Sequence, residues 1–192
     1  EKIESELRIA REIQMSMIPH TFPPFPDLPQ ISLYATLKSA KEVGGDLYDF
    51  FVINKTKFCF AIGDVSGKGV PASLFMAVTR TLLRSISDKE ESPSRIMENL
   101  NKSLAYNNES NMFVTFFLGI LDLETGLLQY ANAGHNPPVL ITCQNDIRMF
   151  ETANAIPLGL FEDFAYPESQ HKLGLRTMHH SPSLQRLHFV QV

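Results

Sequence analysis

The stretch that decides the fold begins at Glu42-Val43-Gly44-Gly45-Asp46 and runs through Leu47-Tyr48-Asp49-Phe50-Phe51-Val52-Ile53. It turns at Asn54-Lys55-Thr56-Lys57 and returns through Phe58-Cys59-Phe60-Ala61-Ile62 to Gly63-Asp64-Val65-Ser66-Gly67-Lys68-Gly69. Two aromatic and β-branched runs around a short polar turn predict an antiparallel hairpin. Such a hairpin carries the chain back to its starting edge and brings Asp46 and Asp64 together. Glycines beside each aspartate let a carboxylate and a main-chain carbonyl face one point. That geometry suits a hard divalent cation held by few carboxylates, and hence metal-assisted attack of water on a phosphoryl group. Each acidic segment taken alone also reads as ordinary loop punctuation.

Pro71 opens a helix directly after the second acidic loop, so its free amides add positive potential near any bound phosphate. The helix is expected over residues 71–86, with Leu74, Phe75, Val78, Leu82 and Leu83 inward. Ser92-Pro93 starts another, packed through Ile96, Met97, Leu100 and Leu104. Strands follow at 112–121 and 127–132 around the turn 122–126, then at 138–142 and 147–150. Upstream, residues 1–18 read as a helix with a short seam of Ile3, Leu7, Ala10 and Met17, interrupted by Gln14, and with Ile9 and Ile13 as a second apolar edge. It is either a helix packed on its own domain or a dimerising, signalling helix. Prolines at 19, 23, 24, 26 and 29 predict an extended connector, and residues 31–37 a strand. Strand runs broken by a helix pair indicate a mixed, mainly antiparallel α/β layer protein.

At 192 residues the chain is long enough for one domain with a sizeable core. The longest apolar run, residues 112–121, falls short of the roughly 20 residues a membrane-spanning helix needs. The chain starts at Glu1 without methionine, which reads as a piece of a longer protein. Cys59 and Cys143 lie far apart in apolar runs, as buried reduced thiols of a cytoplasmic protein do. All 21 acidic residues lie at or before Glu168, whereas residues 169–192 carry Lys172, Arg176 and Arg186 and no acid. An acidic body argues against nucleic acid as a partner.

Five segments occur in order: E-V-G-G-D-L-Y-D-F-F, G-D-V-S-G-K-G-V-P-A-S-L-F-M-A, M-F-V-T-F-F-L-G-I-L-D, Y-A-N-A-G-H-N-P-P-V-L and P-L-G-L. Together they resemble the bacterial PPM phosphatases of the SpoIIE and RsbU type, in the protein phosphatase 2C superfamily, over roughly residues 1–168. The resemblance implies an α-β-β-α sandwich, two stacked mainly antiparallel sheets flanked by helices, incomplete here at its C-terminus. It implies a serine/threonine phosphatase using Mn2+ or Mg2+, two ions in a complete domain. The implied substrate is a small phosphoprotein of the anti-anti-sigma type in a partner-switching circuit. R-E-I-Q-x-S-x-I-P is similar to the linker joining a sensor to this phosphatase type, so the expected organisation is linker 1–30, phosphatase domain 31–168 and a non-family tail 169–192. A second copy is a candidate partner through residues 1–18.

By position in this resemblance, Asp64 is the central metal ligand, bridging two cations, with the Val65 carbonyl beside it. Asp46 is a direct or water-mediated ligand, and both aspartates are the catalytic candidates. Glu42 is expected to hold a metal-bound water or to orient its neighbours, with Gly45 beside Asp46. Ser66 stands where many eukaryotic relatives have a histidine proposed as general acid, a task a hydroxyl cannot perform near neutral pH. Lys68 is a candidate for neutralising phosphate charge, or a solvated lysine. His135 is expected to brace a strand-end turn at the rim of the site. Asp49 reads as a structural aspartate, and Ser66 and Cys59 as non-nucleophiles, since neither has a base at suitable spacing.

After Phe164 the family pattern of an apolar strand and a Thr-Asp-Gly turn, whose aspartate completes the metal centre, does not follow. His179 and His180 are poor substitutes, being softer ligands that point to opposite faces in a strand. From about Gly174 the chain reads as out of frame, with Ser181-Pro182-Ser183-Leu184 where the strand is expected. Two functional readings stay open: a phosphatase whose C-terminal third is absent or altered, and a non-catalytic phosphatase-like module that binds a phosphoprotein or dimerises.

Overall fold

The computed structural model describes residues 2–22, 25, 27–28, 33–37, 42–141 and 146–173, and the backbone of 186–188. The hairpin forms as its pattern predicts. Strands β1 (Leu47–Val52) and β2 (Lys57–Val65) pair antiparallel from Leu47 opposite Gly63 to Val52 opposite Phe58. The turn is set by the Asn54 side chain, whose Oδ1 accepts from the amides of Thr56 and Lys57 at 2.9 and 3.0 Å. Such a side-chain turn substitutes for a backbone one.

Strands β3 (Val114–Asp122), β4 (Leu127–Ala133) and β7 (Glu168–Lys172) complete an antiparallel sheet of order β1-β2-β3-β4-β7. A smaller sheet has β5 (Val139–Ile141) between β6 (Ile147–Met149) and β8 (Arg186–His188). Alternation along each strand builds two cores. Leu47, Phe51, Cys59, Ala61, Val65 and Phe116 face the helices, whereas Phe50, Phe58, Phe60, Phe117 and Tyr130 face the small sheet. On that second face aromatic rings run in a row, Phe60 to Phe117 at 6.4 Å, Phe117 to Tyr130 at 5.6 Å and Tyr130 to Phe150, just past β6, at 5.1 Å. Gly119 lies under the Phe60 ring, where a side chain would collide with it.

Helix α2 (Val70–Ser87) and helix α3 (Pro93–Ala105) cover the other face. Helix α3 starts as expected, with the Ser92 hydroxyl accepting from the Arg95 amide at 3.3 Å, and buries Ile96, Met97, Leu100 and Leu104. Helix α2 corrects the expected face. Leu83 is buried as expected and Phe75 and Leu82 pack at the edge of the core, but Leu74 and Val78 are 63% and 51% exposed, and Ala72, Met76, Thr79 and Ser87 are buried. Burial of Thr79 is tolerated because its hydroxyl donates to the Phe75 carbonyl at 2.8 Å, and the small Ala72 permits close approach to Gly45.

Three further expectations change. Helix α1 (Lys2–Met17) forms, but its one buried residue is Gln14, the expected polar interruption, while Ile3, Ile9 and Ile13 are exposed. Residues 33–37 form no ladder. Leu33 and Ala35 pack on the aromatic face and Tyr34 points outward, so alternation there reports a side facing the core without a hydrogen-bonded partner. Residues 168–172, where no strand was expected, pair with β4 as a polar edge strand. Calls on the connector prolines 23, 24, 26 and 29, on Cys143, and on the tail including His179, His180 and 181–184 lie outside the described residues. No helix among the described residues is long and apolar enough to cross a membrane.

Candidate active site

Continuing the hairpin register one step beyond Leu47 and Gly63 sets Asp46 opposite Asp64, on the same sheet face. Their carboxyl groups hydrogen bond to each other. The Asp46 carboxyl is raised from its ordinary 3.8 to about 6, first by burial, then by that hydrogen bond and the charge of Asp64. Two carboxylates this close hold a proton between them unless a cation replaces it. A Cβ built on Gly45 would lie 2.9 Å from the Val65 carbonyl oxygen and 3.2 Å from Cβ of Ala72. Gly45 thus allows the Asp46 loop to sit directly against the Val65 carbonyl and the first turn of α2. Two facing carboxylates and a carbonyl are a hard oxygen donor set that fits a small divalent cation. Among the described residues no cluster of three or more His, Cys, Asp or Glu offers a further site.

The row continues across the sheet. Thr115 pairs with Asp64 in the β2–β3 register, and its hydroxyl lies 3.4 Å from the Asp64 carbonyl and 3.0 Å from Nδ1 of His135. His135 is buried, which lowers its pKa against the opposing charge of Asp64. The turn carrying it is braced by Asn132, whose side chain donates to the His135 carbonyl at 2.8 Å and accepts from its amide at 2.9 Å. Thr115 and Asn132 were not singled out by sequence, because only the register shows what they face.

Other expected site residues have different neighbours. Glu42 is exposed and pairs with Arg11 of α1 at 3.7 Å. Ser66 is tied to Phe113, its hydroxyl accepting that amide at 3.0 Å while its own amide donates to the Phe113 carbonyl at 2.8 Å. Lys68 is exposed between Gly67 and Gly69, both at positive φ. Helix α2 has Gly69 at its N-cap and no side-chain cap hydrogen bond, so its first-turn amides lack that partner. Asp49 faces the opposite side of β1, where Arg84 and Arg80 hold it. The Cys59 thiol is fully buried and its pKa is pushed up strongly, which leaves it inert. The 157–160 loop joins the start of β3 through paired bonds of Leu158 with Val114, and Asn101 of α3 accepts from the Gly159 amide at 2.9 Å.

The paired carboxylates have a pH signature. If a cation binds the pair, below about pH 6 it must displace the proton held on Asp46, so that binding would release a proton and weaken as pH falls. Mn2+ affinity measured calorimetrically is expected to drop about fivefold from pH 6 to pH 5. Without a cation the sign reverses for stability. The folded state binds more protons than the unfolded one between about pH 4 and 6, so the metal-free fold weakens as pH rises through that window. Affinity independent of pH would separate Asp46 from the binding group.

The family model described as Stage II sporulation protein E (SpoIIE) matches residues 54–177. Phosphoserine phosphatase RsbU of Bacillus subtilis (strain 168) is 30% identical over 168 residues, covering 88% of this chain and 49% of that protein. The chain thus spans about half the length of that relative. Among solved structures, the RsbU and RsbW domains of Rv1364c from Mycobacterium tuberculosis align at 29% identity with a TM-score of 0.63, over 71% of this chain and 38% of that one. The SiaA-PP2C domain of Pseudomonas aeruginosa shares the fold at 20% identity with a TM-score of 0.72, over 90% and 68%.

Proposed function

Because this chain belongs to the SpoIIE family, we propose that it is a metal-dependent protein serine/threonine phosphatase, the output domain of a signalling protein. Its proposed substrate is phosphoserine or phosphothreonine in a small regulator protein of the anti-anti-sigma type. The observation that carries this reading is the pair of facing carboxylates, Asp46 and Asp64, beside the Val65 carbonyl at the start of α2.

Asp46, Asp64 and the Val65 carbonyl would hold Mn2+ or Mg2+. When bound, the ion supplies Lewis-acid polarisation of the phosphoryl group and a water more acidic than bulk. The chain's own residues do the remainder. The aspartate pair gives up its shared proton to become the binding group, and the first-turn amides of α2 favour the phosphate charge. Burial lowers the His135 pKa and favours the neutral ring, and Nδ1 faces Thr115, so His135 braces the rim of the site. Ser66 spends its hydroxyl on the Phe113 amide and is left out of proton transfer. The exposed Ile3, Ile9 and Ile13 on α1 support pairing with a second copy through residues 1–18.

The second reading, a non-catalytic phosphatase-like module, is favoured by one observation: the described residues bring only two acids to the site. Chelation separates the two. Hydrolysis of a serine-phosphorylated protein is expected with Mn2+, to fall at least about 100-fold with EDTA, and to return on adding Mn2+. Metal binding without hydrolysis would establish the module, and EDTA-resistant hydrolysis would remove the metal from the reaction.

A further inference from the structure

Helix α1 reaches the metal loop directly. Nε2 of Gln14 donates to the Gly44 carbonyl at 2.6 Å, and Oε1 of the same side chain accepts from the Gly44 amide at 3.2 Å. Gln14 is 5% exposed although it sits on a helix whose other residues are all partly or fully open to solvent. Both hydrogen bonds described for Gly44 go to this one side chain. A primary amide is able to donate and accept at one peptide; a carboxylate only accepts, and a thioether donates nothing and accepts weakly. Contacts on either side keep the same register, with Arg11 on Glu42 at 3.7 Å and the Tyr48 hydroxyl donating to the Pro19 carbonyl at 2.7 Å. Ile18 anchors the end of the helix in the core at 1% exposure.

Gly44 and Gly45 have no side chains to pin them, so the backbone that aims Asp46 would otherwise sample many conformations. We propose that Gln14 is a positioning residue for the metal site: by clamping the Gly44 peptide it holds Gly45 against the Val65 carbonyl and Asp46 opposite Asp64. The proposal rests on the metal reading above and makes the helix part of the site, where sequence left it as either a packed helix or a dimerising, signalling one. A buried amide pair lost to an apolar side chain leaves two unsatisfied backbone groups, and the loop must move to rehydrate them.

The test is direct Mn2+ binding, followed by electron paramagnetic resonance of the free ion, on the full chain and on Gln14→Met, Gln14→Glu, Ile96→Val and Asp64→Asn. Gln14→Met is expected to weaken binding at least tenfold. Gln14→Glu keeps the acceptor but not the donor, and is expected to weaken it less even though it adds a negative charge. Ile96→Val, a core change on α3, lowers thermal stability and leaves affinity unchanged, which separates positioning from simple destabilisation. Affinity within twofold of wild type in Gln14→Met, with binding lost in Asp64→Asn, overturns the role of Gln14 alone. If Gln14→Met does not fold, unchanged affinity in Gln14→Glu overturns it equally. Binding that survives Asp64→Asn overturns the metal reading and this proposal with it.

Discussion

Asp64→Ala is expected to lower Mn2+-dependent phosphatase turnover by at least about 10³-fold across a full Mn2+ titration, with the domain still folded. A metal ion's electrostatic contribution of several kcal/mol corresponds to a loss of this order when its principal ligand is removed. Asp64 is exposed, so truncating it opens no cavity. Its removal also takes away the charge and hydrogen bond that, after burial, hold the Asp46 proton. In the variant Asp46 therefore ionises at lower pH, and the metal-free protein above pH 6 should be at least as stable as wild type. Lost turnover with retained or increased stability identifies a metal ligand. Lost turnover with lost stability identifies a structural residue, and retained turnover removes Asp64 from the centre.

Asp49→Ala is expected to destabilise the fold by about 3 kcal/mol, a drop in thermal midpoint of about 6–12 °C. Asp49 is 1% exposed on the helix-facing side of β1, between Leu47 and Phe51. Arg84 donates to both its oxygens at 2.6 Å and stacks over the Phe51 ring at 4.0 Å, while Nε of Arg80 lies 3.2 Å from Oδ2. Removing the carboxylate leaves two guanidinium groups close together without a counter-charge. The cost is set at the low end for a broken buried pair because the Arg84 side chain is 38% exposed and regains water. A combined Asp49→Leu, Arg80→Leu, Arg84→Met variant should recover most of the loss, since it removes the charges with their partner. Equal loss in the single and combined variants, measured by thermal denaturation, would assign the effect to packing. Asp49 points away from Asp46, so metal affinity of the folded variant should not change.

Much of the site was legible because it is local. The turn at Asn54 and the two alternating runs determine which residues of a hairpin lie opposite one another, and that placed Asp46 across from Asp64 before any tertiary contact was known. The Ser92 cap, the buried face of α3 and the β3–β4 hairpin were legible for the same reason. Faces of helices were less so. Helix α2 carries apolar residues on more than one side, and the stripe that packs is the one that lets Ala72 approach Gly45, not the more hydrophobic Leu74 and Val78.

By itself the sequence determined the hairpin, the glycine-framed carboxylates and the order of elements, since all three follow from short-range periodicity and turn chemistry. Tertiary structure alone decided what each polar side chain meets. Gln14 finds Gly44 thirty residues on, Asp49 finds Arg84 thirty-five residues on, and Thr115 joins Asp64 to His135 across two strands. A polar residue in an apolar pattern gives no sign of its partner, because the hydrogen bonds that permit its burial are closed by segments distant in the chain.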